Sequence, residues 1–127
     1  MVPPGYIAEL RVLVCDDVAD TRDLIAELVR FHGHTVEVAE NGASAVSRIL
    51  GGGYDVALID IGLPDMSGYA VARAVREHPN APPIWLVALT GYATAADRAT
   101  ATFAGFNEWL AKPVKMGVLL AALRRPD

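Results

Sequence analysis

Five short runs of aliphatic and β-branched residues recur along the chain, each followed by a segment with helical spacing. This alternation constrains the fold more than any other feature. Arg11–Cys15 (RVLVC), Thr35–Ala39, Tyr54–Ile59 (YDVALI), Ile84–Leu89 and Asn107–Leu110 read as strands. After the first, Asp20 or Thr21 can cap a helix in which Leu24, Ile25, Leu28 and Val29 recur, and Gly33 ends it. Asn41-Gly42 turns the chain into a second helix with Ala45, Val46, Ile49 and Leu50, which stops at Gly51–Gly53. A third carries Tyr69, Val71, Ala72 and Val75 and is broken by His78, Pro79 and Pro82. Thr94–Phe103 is an alanine-rich helix, and Lys115–Arg124 closes the series. Strands alternating with helices predict an α/β fold, a doubly wound five-stranded parallel sheet with helices on both faces and right-handed crossovers.

Composition narrows the function. A length of 127 residues fits one domain, 1–127, in which residues 1–8, with two prolines and a glycine, read as an N-terminal linker or cloning remnant. Apolar residues at 53% against 20% charged supply a core and exclude a disordered chain. A net charge of −4 argues against direct nucleic-acid binding, which needs Lys and Arg on phosphates. No apolar stretch is long enough to span a bilayer, and no charged leader precedes an apolar run. The lone Cys15 excludes an internal disulfide and a multi-cysteine metal site. The expectation is a cytoplasmic domain with no membrane contact.

In a parallel α/β sheet, ligands bind at the carboxyl ends of the strands. Asp16 and Asp17 follow the first run, Asp60 the third, Thr90 the fourth, and Lys112 follows the fifth after one alanine. Three carboxylates, a hydroxyl and an ammonium therefore meet on one edge. Crowded carboxylates raise the cost of ionising one another. A hard divalent cation such as magnesium relieves that cost with oxygen ligands. With Thr90 and Lys112 added, the set suits a phosphoryl group held beside a metal. The nucleophile would be a carboxylate, because no Ser–His or Cys–His pair is available at this edge. Each piece alone is common in loops; their joint placement carries the reading.

These motifs resemble the receiver domain of two-component response regulators over Leu10 to Leu123. They are Cys15-Asp16-Asp17, Asp60 followed by Ile61-Gly62-Leu63-Pro64-Asp65-Met66-Ser67-Gly68, Ala88-Leu89-Thr90-Gly91, and Lys112-Pro113. The resemblance implies the flavodoxin-like strand order 2-1-3-4-5. It implies Asp60 as the phosphoacceptor for a histidine kinase or histidine phosphotransfer protein. Asp17 would be a direct magnesium ligand and Asp16 would hold metal-bound water. Asp60 and the Gly62 backbone carbonyl would join them, with manganese as a substitute ion. Thr90 and Lys112 would bind phosphoryl oxygens, Pro64 and Gly68 would shape the loop, and Lys112-Pro113 would be cis. Gly62 and Tyr92 would tune the acyl-phosphate lifetime. Such a domain is a signalling switch, with self-catalysed phosphotransfer and autodephosphorylation, rather than a turnover enzyme. Its output would be a change in the surface made by the fifth strand and the two last helices, and a phosphorylation-dependent homodimer fits that surface. The phrases around Gly105–Glu108 and Leu110–Pro113 resemble receivers fused to hybrid histidine kinases. No output domain is expected within 1–127, and a stand-alone receiver that binds partners or relays phosphate fits as well as a receiver from a larger protein.

Trp109 departs from the family, whose switch aromatic at this position is usually Tyr, Phe or His. Indole is larger, and Trp109 is expected either to stay partly exposed as a contact residue or to cap the core edge. The alanines of Ala93–Ala104, with Phe103 as the one large residue, predict a weakly anchored, mobile helix. His32 and His34 fit turn chemistry better than a metal site, His78 is expected against its helix's carbonyl end, and Cys15 as a core residue. Two other classes compete. One is an unphosphorylated receiver-like interaction domain, opposed by the complete acidic set. The other is a small phosphatase with a nucleophilic aspartate, opposed by Gly62 standing where a second aspartate would be.

Overall fold

β-Branched and aliphatic residues place both faces of the central strands in the interior, as a parallel sheet covered on both sides requires. The computed structural model describes residues 8–91 and 94–124. Its strands are β1 (Arg11–Cys15), β2 (Thr35–Ala39), β3 (Val56–Asp60), β4 (Trp85–Thr90) and β5 (Glu108–Ala111). Its helices are α1 (Ala19–Phe31), α2 (Gly42–Leu50), α3 (Gly68–Glu77), α4 (Ala95–Ala104) and α5 (Met116–Ala122). The sheet is parallel throughout, in the order β2-β1-β3-β4-β5. This is the doubly wound, flavodoxin-like order.

Alternation along each strand divides the core in two. Leu13, Cys15, Ala57, Ile59, Leu86 and Ala88 point to the side covered by α2, α3 and α4, where Ile49, Val71, Val75, Ala101 and Ala104 meet them. Val12, Val14, Val56, Leu58, Val87, Leu89 and Leu110 point to the side covered by α1 and α5, through Ile25, Ala26, Val29, Leu119 and Ala122.

The first two strands keep their expected bounds. The other three end one residue later than expected, because the ladder continues: Asp60 pairs with Leu89 and Thr90 with Ala111. Asp60 and Thr90 are thus the last residues of their strands and inherit the rigidity of the sheet. Tyr54 lies before β3, with its hydroxyl donating to Glu37 Oε2.

Several local expectations change. Neither Asp20 nor Thr21 caps α1; the helix begins at Ala19 with Val18 as its cap, and Asp16 Oδ1 accepts the Val18 N–H at 3.0 Å. Asp20 sits in the first turn, where a negative charge favours the helix dipole. Leu24 does not join the α1 core face and is 57% exposed; its place inside is taken by Arg22 and Ala26. His78 accepts the Asn80 N–H on Nδ1 at 3.1 Å, so that nitrogen is engaged by the chain beyond the helix. Phe103 is not an anchor of α4, being 90% exposed. At 3.6 residues per turn it stands about 200° round the helix from Ala101, whereas Ala104 shares the buried stripe. The expected linker lies outside the described residues, apart from Ala8, as do Tyr92 and Ala93.

The far end of α4 is held from outside the helix. Gly105 ends it at φ 116°, and Phe106 beyond is buried. From α3, Arg76 donates Nε to Gly105 O at 3.0 Å, Nη1 to Ile84 O at 2.9 Å and Nη2 to Asn107 Oδ1 at 2.8 Å. The first turn of α4 has the Thr94 cap and exposed alanines. Amide exchange is therefore expected to slow from Arg98 towards Phe106, by more than a decade in rate across the helix; uniform protection along α4 would contradict it.

His34 is buried, and its Nδ1 accepts the Leu10 N–H at 3.1 Å. Burial, with His32 nearby, lowers its pKa from 6.5, so folding favours the neutral ring. Above pH 6.5 both folded and unfolded rings are neutral and this contribution is complete. Below it the unfolded chain takes up a proton that the folded one resists, and stability falls. A His34→Asn variant, which keeps an acceptor near the Nδ1 position, should lose less melting temperature than the parent between pH 7 and about pH 5.5.

Candidate functional site

The carboxyl ends of β1, β3 and β5 bring the acidic residues and the lysine to one point. Asp16, Asp17 and Asp60 each offer an oxygen, and these oxygens lie within 4.8 Å of one another. Asp16 is fully buried, Asp60 nearly so, and Asp17 faces solvent. Lys112 Nζ sits between the two buried carboxylates, 2.8 Å from Asp16 Oδ2 and 3.1 Å from Asp60 Oδ2.

Each group is held by backbone that the fold supplies. Asp16 N–H donates to Ala39 O at 3.2 Å, and Asp16 Oδ1 takes the Val18 N–H. Asp60 Oδ1 accepts the Gly62 N–H at 3.1 Å. Lys112 N–H donates to Thr90 O at 2.8 Å, which ties the lysine to the end of β4. Gly68 cannot carry a side chain, because a Cβ there would stand 2.5 Å from Asp60 O and 2.8 Å from Ile61 Cα. The first turn of α3 can therefore press against the backbone of Asp60. Pro64 lies exposed on the intervening loop, and the Lys112-Pro113 bond is cis.

The electrostatics follow from this packing. Burial lifts the Asp60 pKa above the ordinary carboxylate value, with Asp16 adding to the rise, against the lowering pull of the Gly62 N–H and Lys112. Burial also works to lower the Lys112 pKa, but its hydrogen bonds to Asp16 and Asp60 outweigh that and hold the ammonium above its usual value. Three carboxylates against one ammonium leave the pocket two negative charges in excess. A divalent cation cancels that excess. Oxygens on opposite sides of a magnesium ion stand about 4.2 Å apart, so carboxylate oxygens within 4.8 Å of one another are spaced on the scale of its coordination sphere.

The response regulator receiver domain family matches residues 12–124. This chain is a receiver domain of that family. The receiver domain of sensor histidine kinase PA1611 from Pseudomonas aeruginosa PAO1 superimposes with a TM-score of 0.82 at 32% identity, over 91% of this chain and 95% of that one. That structure has a magnesium ion coordinated in its active-site cleft. A chain of the co-crystal of the Saccharomyces cerevisiae histidine phosphotransfer protein Ypd1 with the receiver domain of Ssk1 gives 0.85 at 26% identity, over 94% and 89%. The transcriptional regulatory protein TcrA of Mycobacterium tuberculosis is 31% identical over 94% of this chain, and the match spans 47% of TcrA, about half its length. Receiver domains are signalling modules of two-component systems. Among the described residues, no helix is long and apolar enough to cross a membrane.

Sequence reasoning missed two residues of this receiver's site. Arg22 is buried on α1, with Nη1 donating to Asp16 O at 3.2 Å and Nη2 3.9 Å from Glu40 Oε1. It holds the loop that bears Asp16 and Asp17. Its position, five residues after Asp17, was a visible signal, but its charge marked it for the surface. Asp65 accepts the Gly42 N–H at 2.8 Å and the Ala43 N–H at 2.9 Å, at the start of α2. Nothing in the local pattern pairs residues so far apart. His32 bonds Leu28 O, so the His32–His34 pair is turn chemistry, as expected. Cys15 is buried, donates to Asn41 O at 3.4 Å, and has its pKa pushed up to about 12 by burial and the neighbouring aspartates.

Trp109 stands between its two expected roles. It pairs with Ala88 in the sheet, is half-buried against the α4 side of the core, and has the Arg98 guanidinium over its ring at 5.4 Å. That contact leaves the indole sensitive to any shift of α4. In a Trp85→Phe background, saturation with a phosphoryl mimic should change Trp109 emission; an unchanged spectrum would rule out movement at this position.

Proposed function

We propose that Asp60 is the phosphoacceptor of this receiver. The observation that carries the reading is Asp60 itself: a nearly buried carboxylate at the end of β3, gripped by Lys112 Nζ and the Gly62 N–H, beside Asp16 and Asp17. In the forward step an Asp60 oxygen forms a bond to phosphorus as the N–P bond of a phosphohistidine breaks, and the electron pair leaves with the imidazole. Lys112, already 3.1 Å from Asp60, supplies positive charge where phosphoryl oxygens arrive, and the Thr90 hydroxyl at the end of β4 supplies a donor. Dephosphorylation is a separate hydrolysis: water attacks phosphorus, the bond from phosphorus to the Asp60 oxygen breaks, and inorganic phosphate and a proton leave with the carboxylate restored.

Asp17, Asp60 and the Gly62 carbonyl would hold a magnesium ion, or manganese in its place. Asp16, with its oxygens engaged by Lys112 and the Val18 N–H, would act through a bound water. When bound, that ion neutralises charge on the transferring phosphoryl group. The likeness to the magnesium-bearing PA1611 receiver supports this assignment.

The partner is a histidine kinase or histidine phosphotransfer protein, a reading that the Ypd1–Ssk1 likeness supports. Beside Lys112 a groove of about 380 Å³ runs between α1 and the segment after β5, lined by Thr21, Leu24, Ile25, Leu28, Pro113 and Val114. Leu24 exposes apolar surface in it. A histidine-bearing helix laid there brings its imidazole towards Asp60 and covers these side chains. The cytoplasm is the setting this chemistry implies.

The test is intact mass after incubation with a small acyl phosphate and magnesium. One phosphoryl group should add to the wild type, none to Asp60→Asn, and none to the wild type without the metal. Addition to Asp60→Asn at the wild-type level would remove Asp60 from its role.

A further inference from the structure

The segment from Ile61 to Ser67 joins Asp60 to α3 and bears Gly62, whose carbonyl is assigned to the metal above. Its two ends are fixed. Ile61 N–H donates to Leu89 O at 3.0 Å, and Gly68 N–H donates to Ile61 O at 2.9 Å. Between them Gly62 and Pro64 are exposed. The middle is fastened to a different element. Asp65 spans the first two N–H groups of α2 with both carboxylate oxygens, Oδ1 on Gly42 and Oδ2 on Ala43. Met66 packs onto Gly42 so closely that a Cβ there would stand 2.3 Å from its Cγ. The helix has its own cap in Asn41, whose side chain accepts the Ser44 N–H at 2.8 Å. Asp65 therefore adds two charge-assisted bonds at an N-terminus that already has a side-chain cap.

We propose that Asp65 is a positioning residue for phosphoryl transfer: its carboxylate, seated on the start of α2, latches the loop after Asp60 so that Gly62 is kept at the acidic pocket. The inference rests on the assignment of Asp60 and Gly62 made above. Residues that hold metal ligands in place, without touching the metal, commonly matter tenfold or more to affinity. The Asp65 carboxyl is held below the usual carboxylate range by the Gly42 and Ala43 N–H groups, which shows that these bonds favour the charged form. Both partners of the latch are N–H groups of a helix, so the loop is pinned to a rigid element.

A bland alternative makes Asp65 only a second cap, valuable to the stability of α2 alone. Asn41→Ala separates the two, because it weakens the same helix end without touching the loop. Magnesium affinity is measured by calorimetry on the full chain, with melting temperature recorded for each variant. Asp65→Ala should raise the magnesium dissociation constant about tenfold, while Asn41→Ala lowers the melting temperature but leaves the constant within about twofold. Asp65→Asn, which keeps a single acceptor oxygen, should fall between, and it carries the comparison if Asp65→Ala does not fold. A wild-type constant in the Asp65 variants, or an equal rise in Asn41→Ala, would overturn the latch. A wild type that binds no magnesium would instead overturn the metal assignment on which the latch depends.

Discussion

One ammonium shared by two buried carboxylates is the interaction on which the rest of the site depends. Lys112 reaches Asp16 across 96 positions of sequence and Asp60 from the neighbouring side, so it joins β1, β3 and the end of β5 at one point. Taking charges out of water costs several kcal/mol each, and leaving a buried charge without its partner costs about 3–5 kcal/mol. The pair is therefore not a device for stability. Its effect at Asp60 is to pull against burial, which raises that carboxyl above its ordinary value. The lysine also holds the Asp60 carboxylate in one direction, and the excess of carboxylates over ammonium in the pocket gives a cation a reason to enter.

The five-fold alternation and the polar residues at the strand ends were legible because each depends on local spacing. Parallel strands fix their own polar ends to one edge, so Asp16, Asp17, Asp60, Thr90 and Lys112 could be placed together before any coordinates. Less was legible where long-range packing decides. Leu24 and Phe103 look like core residues by type, yet both turn outward because other residues fill the buried stripe, Arg22 and Ala26 in α1 and Ala101 and Ala104 in α4. Arg22 looks like a surface residue and is buried, because the carbonyl of Asp16 and Glu40 receive its guanidinium. Asp65 was read as part of a motif, but its partners come from a helix more than twenty residues away.

The two sides of the sheet differ in how firmly they hold their helices. On one side α1 presents Ile25, Ala26 and Val29 to the core and exposes Leu24 beside the lysine, which makes a fixed platform next to the reactive edge. On the other, α4 contributes Ala101 and Ala104 to the core and is gripped at its end by Arg76. The helix is thus fastened at its carboxyl end and lightly packed at the end nearest Thr90. The groove beside Lys112 and the lightly packed α4 thus lie on different faces, joined by the strands between them.

Cys15 gives the acidic pocket a second meaning. A phosphorylated carboxylate is an electrophile, and with Asp60 as the proposed phosphoacceptor it would form in the strand adjacent to a thiol, with Cys15 paired to Ile59 in the sheet. A thiolate there would compete for the phosphoryl group or open the site to oxidants. The same aspartates that call for a cation also repel a negative sulfur, and burial adds to the effect, so the thiol stays protonated at any physiological pH. In the proposed chemistry the Cys15 thiol therefore leaves the reaction to the oxygens of the pocket.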